Sequence, residues 1–260
     1  MIFPQWAIAP LRYQQEAKVK HSPGFDEEVR LAKKLYELEE CDTLIDLGCW
    51  LGVLGMKFKK VIKPNKLYLI DAIPLYLNVA QTLFKECYID ATFIEMCIVP
   101  DPASFNRRFN VILNDSINTS SAVINKKYDP ETIIVSLPTT SNIVDPMAAA
   151  TALKLLCGEQ GYLKMDIDGM DYTLIDAILA SDFRPRVLHF EGLKYQFTDQ
   201  LKLIIQKIRA AGYQLPPDDQ ILAPGTDMCC ITCSANHWGI IYYKVINGIM
   251  TYQPSLTMES

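Results

Sequence analysis

Positive charge is scarce in this chain: 25 Lys and Arg stand against 30 Asp and Glu, leaving a formal charge of −5 over 260 residues. Nucleic-acid backbones call for a basic surface, so the balance disfavours DNA or RNA as the main partner. Arg107-Arg108 and Lys126-Lys127 are isolated doublets that read as solvated loop faces. The interleaving of aromatic and basic side chains that stacks bases is missing as well. No apolar run approaches the length needed to cross a bilayer, so membrane insertion is not expected. Pro4 and Pro10 interrupt Met1 to Leu11 and no basic region precedes them, so no signal peptide is read there. Internal repeats and low-complexity segments are absent. The cysteines (Cys41, Cys49, Cys87, Cys97, Cys157, Cys229, Cys230 and Cys233) sit mostly within apolar strand or helix patterns, where a reduced thiol behaves as a small hydrophobe. A reducing, cytoplasmic compartment is the expectation. Cys230 and Cys233 have C-x-x-C spacing, but no second pair follows and strand alternation aims them at opposite faces, so zinc is not expected on that motif.

What is present is apolar surface: half the residues are hydrophobic, enough for one large core in a single α/β unit. An N-terminal extension with a helix is expected over 1–41, the main domain over 42–235, and a tail packed on or near it over 236–260. Ser22-Pro23 followed by Asp26-Glu27-Glu28 marks a helix start, with Val29, Ala32, Leu35 and Leu38 as the buried stripe. Strands are predicted at 43–47, 66–70 and 91–99, with helices at 51–62 and 74–87 between them. That βαβαβ period belongs to a parallel, doubly wound sheet whose ligand sits at the carboxyl ends of the strands. Two further strands, 109–113 and 132–137, flank the polar stretch Asn114 to Ser121, which reads as an inserted hairpin or flap before the fourth core strand. Then come a helix from Asp145-Pro146 through Leu156, a strand at 162–165, a helix at 172–179, a strand at 185–190 and a helix at 198–211. Gly212-Tyr213-Gln214 and 227–233 are read as the closing antiparallel pair, which makes seven strands in the sheet besides the inserted hairpin.

The turn after the first strand carries the most information. Asp46-Leu47-Gly48-Cys49-Trp50-Leu51-Gly52 follows an apolar run, and Leu67 to Ile70 delivers Asp71 roughly 20 residues beyond it. A dinucleotide fingerprint is G-x-G-x-x-G, whereas this chain reads Gly48-x-x-x-Gly52-x-x-Gly55 and puts the bulky Trp50 where the second glycine belongs. A pyrophosphate has little room there. S-adenosylmethionine (SAM) has a ribose and an adenine but no phosphate, and suits the turn better.

At Lys164-Met165-Asp166-Ile167-Asp168-Gly169-Met170-Asp171 the chain resembles the FkbM family of SAM-dependent methyltransferases, whose hallmark there is Lys-Ile-Asp-Val-Glu-Gly-Ala-Glu. Asp46 to Gly52 resembles the family's Asp-Val-Gly-Ala-Asn-x-Gly, Ile134 to Val144 its Val-x-x-x-Thr-Leu-Asp segment, Pro185 to Glu191 its Pro-x-x-Leu-x-Glu strand, and Gly212-Tyr213 its late Gly-Tyr. The ordered motifs cover roughly residues 43 to 233. The resemblance implies a Rossmann-like class I methyltransferase fold with a mostly parallel seven-stranded sheet. It also implies O-methylation of a hydroxyl on a sugar, glycan or natural product. The departures are Trp50 in the glycine turn, Asp71 for the usual glutamate, and Asp168 and Asp171, each a methylene shorter than the family's residue.

The candidate cofactor residues are Asp46, Gly48, Cys49, Trp50 and Gly52 of the turn, with Asp71 and its neighbour Ala72 at the ribose. Methyl transfer from a sulfonium needs an aligned acceptor and, for a hydroxyl, a base. Asp166 is the first candidate for that role, with Asp168 capping the following helix or binding its amides. His189, which titrates near neutrality, is the second, and Glu191 shares its side of the strand. Asp166, Asp168 and Glu191 on a magnesium ion is a lesser alternative. A methyltransferase-like binding or scaffold module without catalysis, an RNA methyltransferase and a Rossmann-type oxidoreductase are the competing readings.

Overall fold

The structure is a computed structural model that describes residues 3–103, 108–114, 133–138, 142–158, 160–246 and 249–259. Its main sheet has nine strands in the order β11-β10-β9-β8-β7-β1-β2-β3-β6. In chain order these are β1 (Thr43–Leu47), β2 (Lys66–Asp71), β3 (Thr92–Ile98), β6 (Asn142–Val144), β7 (Gly161–Met165), β8 (Val187–Leu193), β9 (Met228–Cys233), β10 (Trp238–Ile246) and β11 (Ile249–Glu259). Every pairing from β6 to β8 is parallel, and those from β8 to β11 are antiparallel. A separate antiparallel pair, β4 (Arg108–Asn114) with β5 (Ile133–Pro138), supplies the hairpin expected between the third and fourth core strands. Residues 115–121 of the expected flap lie outside the described residues.

The doubly wound α/β class is therefore as expected, and the strand count is not. Gly212 to Gln214 does not form a strand: Gln214 N–H bonds to the Ser234 carbonyl at 2.7 Å, and Pro216-Pro217 then remove the donors a ladder needs. Three strands join instead. β6 extends the β3 edge, and β10 and β11 are built from residues whose aromatic and β-branched mixture shows no boundary in sequence.

Helices α2 (Pro23–Leu38), α3 (Val53–Val61) and α4 (Pro74–Glu86) cover one face of the sheet, and α5 (Pro146–Cys157), α6 (Asp171–Ala180) and α7 (Lys194–Ala210) the other. α2 buries Val29, Ala32 and Leu35 as its spacing requires, but Leu38 is exposed and Glu28, one of the acids that mark the helix entry, is buried. Ahead of it stands α1 (Gln5–Lys20), with Pro10 inside. A mid-helix proline costs about 3 kcal/mol. Burial of Ala7 and Leu11 offsets it, together with a hydrogen bond from the buried Gln15 amide to the Leu51 carbonyl at 2.6 Å. A short helix, α8 (Asp218–Ile221), precedes β9.

The face under α2 is not uniformly apolar. In register across it lie Asp46 of β1, Lys164 of β7, His189 of β8 and Thr232 of β9, all at most 4% exposed. Lys164 Nζ stands 3.2 Å from Asp46 Oδ1 and 3.6 Å from Asp166 Oδ2. Burial opposes its charge, but Asp46, Asp166 and Glu28 outweigh burial and hold the ammonium well above its ordinary pKa. β1 and β7 are spliced just beyond this pair, where Asp166 N–H bonds to the Leu47 carbonyl at 3.0 Å and Gly48 presses on Asp166. A Cβ on Gly48 would come within 1.8 Å of the Asp166 carbonyl oxygen.

Two outcomes follow in denaturant unfolding. Lys164→Met is expected to cost about 3–5 kcal/mol, because it strands a buried carboxylate, and adding Asp46→Asn is expected to restore much of that. A single-variant loss below about 1 kcal/mol would show that the ammonium compensates nothing. Gly48→Ala is expected to block folding, whereas Gly212→Ala, also at positive φ but with nothing within 4 Å of the added Cβ, should cost only about 1–2 kcal/mol. Equal losses would remove the clash argument.

Candidate active site

In the sheet order, β2 lies on one side of β1 and β7 on the other, so the crevice outside the carboxyl ends of β1 and β7 is the topological switch point where such folds bind ligands. The glycine turn sits at its rim. Gly48 and Cys49 N–H groups bond to the Ile70 carbonyl at 2.8 and 3.0 Å, and Gly52, at φ +73°, begins α3. Gly52 also admits α4, since a Cβ there would lie 2.8 Å from the Ala80 Cβ. The two glycines thus let elements of the chain approach each other, beyond any room they leave for a ligand.

Trp50 adopts φ +48°, a left-handed conformation uncommon for a bulky residue. Asp71 holds it there, accepting the Trp50 N–H on Oδ2 and the Ile73 N–H on Oδ1, both at 2.8 Å. Burial raises the Asp71 carboxyl to about 7 against those two amides. The Trp50 side chain is half-buried against the cluster of Ala7, Leu11, Leu51, Val53, Leu75 and Val79 that joins α1 to α3 and α4, and Tyr76 packs on the same cluster. Tyr76, in the first turn of α4, senses both Asp71 and Asp168, which places it at the same crevice. The sequence reading missed Tyr76; its one signal was its place in the first turn of the helix after Asp71. Ala72 is half-buried beside Asp71, and Cys49 is buried in the layer beneath.

Beyond β7 the carboxylates divide their tasks. Asp166 is 39% exposed at its side chain and ion-paired to Lys164, which fixes its position at the crevice. Asp168 is exposed at φ +53°. At the start of α6 the Asp171 carboxylate also bonds the chain, its Oδ2 accepting the Ile167 N–H at 3.3 Å. Asp171 is buried, which raises it to about 7 with help from Asp166. Glu191, also buried, is pushed well up by burial and then by Asp166, Asp171 and Asp168, which lie within electrostatic reach of it.

His189 does not join them. It is 1% exposed beneath α2, its Nδ1 is 2.8 Å from the Tyr162 hydroxyl, and burial followed by the Lys164 charge lowers its pKa to about 3. Closed off beneath α2, with its charged form disfavoured by burial, His189 is not placed to take a proton from an acceptor hydroxyl, so the expectation of a histidine base is corrected. The magnesium alternative also lacks geometry. Among the described residues, the one group of three metal-binding side chains that converges is Glu28, His189 and Cys230, and it includes none of Asp166, Asp168 and Glu191.

No helix among the described residues is long and apolar enough to cross a membrane. No protein-family model matches this chain, and no curated protein matches its sequence. Among solved structures it is similar to an SAH-bound methyltransferase from Podospora anserina, with 9% identity, 89% of this chain and 88% of that chain covered, and a TM-score of 0.48. An O-methyltransferase from Bacillus cereus in complex with SAH gives 8% identity, coverages of 90% and 93%, and a TM-score of 0.48. Methyltransferase FkbM from Methylobacillus flagellatus gives 14% identity over 67% of this chain and 39% of that one, with a TM-score of 0.36. Those identities and scores are too low to transfer any residue's role.

Proposed function

We propose that this protein is a SAM-dependent methyltransferase that methylates a hydroxyl of a sugar, glycan or natural-product acceptor. The observation that carries the reading is the chemistry of the crevice at the switch point. Its rim is a glycine turn without a basic side chain, and its walls bring the carboxylates of Asp71, Asp166, Asp168 and Glu191, while the nearby Lys164 is already committed to Asp46 and Asp166. Such a lining repels a pyrophosphate and attracts a sulfonium and an ammonium, the two cationic centres of SAM. Asp71 keeps a second lone pair on each oxygen for the ribose hydroxyls after accepting its two amides. Tyr76 and Trp50 supply apolar surface beside it. Asp166, exposed and steered by Lys164, is the group placed to orient an acceptor hydroxyl and take its proton as the methyl group moves in line from sulfur to oxygen.

A second reading, a methyltransferase-like module that binds without catalysis, draws on Asp71, whose two oxygens are both engaged by backbone amides. Binding and turnover separate the two.

In titration calorimetry, S-adenosylhomocysteine (SAH) is expected to bind, and Asp71→Ala to weaken it about tenfold or more. Because the ribose needs an ionised carboxylate, affinity is expected to rise as pH climbs through about 7, and that dependence should vanish in Asp71→Asn. Unchanged affinity in Asp71→Ala would remove the ribose assignment. Asp166→Asn is expected to lower turnover roughly 10²–10⁴-fold on an accepted hydroxyl substrate while leaving SAH affinity intact. Normal turnover would remove the base.

A further inference from the structure

Glu28, His189 and Cys230 belong to none of the steps above, yet they form the most chemically distinctive cluster in the interior. They come from three elements: the second turn of α2, the middle of β8 and the middle of β9. One ligand atom from each lies within 4.8 Å of the other two. The Cys230 thiol is 3.4 Å from Glu28 Oε1, and the Tyr243 hydroxyl donates to the same oxygen at 3.0 Å. His189 has Nδ1 beside the Tyr162 hydroxyl, and its buried Nε2 finds no hydrogen-bond partner. A buried ring nitrogen left unpaired costs about 1–3 kcal/mol, so its presence calls for an explanation.

We infer that Glu28, His189 and Cys230 bind a zinc ion that clamps α2 to the β8–β9 face of the sheet. Sulfur, imidazole nitrogen and carboxylate oxygen are the three donors that zinc accepts together. Zinc bonds of about 2.0–2.3 Å set tetrahedral ligands about 3.5 Å apart. The Glu28–Cys230 pair already has that spacing, and His189 closes on it with a shift of about 1 Å. With its proton on Nδ1 and donated to Tyr162, His189 presents the Nε2 lone pair to the ion. Tyr162 and Tyr243 are then the outer partners that orient histidine and carboxylate, the arrangement usual around bound zinc.

The charges also balance. Zn²⁺ with a Cys230 thiolate and a Glu28 carboxylate is neutral, and the thiol proton leaves to solvent on binding. Two other ionisable groups lie near this space: Lys164, matched by Asp46 and Asp166, and Glu191, opposite Cys230 in the ladder, whose charged form is disfavoured by its burial. Glu28 is 8% exposed, His189 1% and Cys230 7%, so no acceptor reaches the ion; three protein donors leave one tetrahedral position for an enclosed water, and the ion's role is structural. The C-x-x-C spacing is incidental: Cys233 lies on the opposite face, packed with Ile231 and Leu188.

The test uses the full chain, unfolded and refolded in the presence of zinc, of cobalt(II), or of a chelator. A single equivalent of zinc is expected to remain after gel filtration, and the cobalt form is expected to show a thiolate-to-metal charge-transfer band with tetrahedral visible bands. Cys230→Ser is expected to abolish that band, and Tyr243→Phe to weaken zinc about tenfold. Cys87→Ser and Cys233→Ser should leave both unchanged. Absence of stoichiometric metal in the folded wild-type protein would overturn the inference, as would a charge-transfer band that survives Cys230→Ser. If Cys230→Ser fails to fold, the wild-type spectrum and Tyr243→Phe still decide it. Metal content is read without a methyl donor, so this result is independent of what the crevice binds.

Discussion

One buried cation organises the centre of this molecule. Lys164 stands on β7, the middle strand of the nine-stranded sheet, between Asp46 on one neighbouring strand and Asp166 at its own carboxyl end. An unpaired carboxylate at the depth of Asp46 would be untenable, and an unpaired ammonium equally so; together they allow a polar row to cross the sheet under α2. The same side chain joins two functional layers. Toward the crevice it fixes Asp166, and away from it Lys164 adds its charge to the burial that keeps His189 neutral.

The crevice itself follows from backbone geometry. Gly48 lets β1 and β7 meet at the Asp166 carbonyl, and Asp71 ties the turn to the β2–α4 connection through two amides. These contacts gather carboxylates from three strand ends into one space. Their mutual repulsion, added to burial, raises Asp171 and Glu191, and a bound cationic group would relieve it. A polar centre of this kind is stored electrostatic strain that a sulfonium is suited to release.

Much of this was legible in sequence because it is local. The apolar run to Asp46, the glycines after it and the Asp71 spacing define β1, α3 and β2, and the hairpin before β7 follows from two short apolar runs around a polar stretch. What escaped depends on distant parts of the chain. Pro10 argues against α1, yet Leu11 and Gln15 find partners on α3 and α4. Glu28 reads in sequence only as part of a helix entry, and its burial is decided by β9 and β10, some 200 residues away. His189 shares a strand face with Glu191, but the helix lying over that face covers the first fully and leaves the second at the crevice. Alternation reports the side of a strand, not what packs against it.

A crystal structure grown with SAH tests the central claim most directly. The account predicts the nucleoside in the crevice at the ends of β1 and β7, with its ribose hydroxyls on Asp71, its adenine beside Tyr76 and its sulfur facing Asp166. SAH bound elsewhere on the fold, or a crevice in which Asp71 touches only the Trp50 and Ile73 amides at saturating SAH, would contradict it.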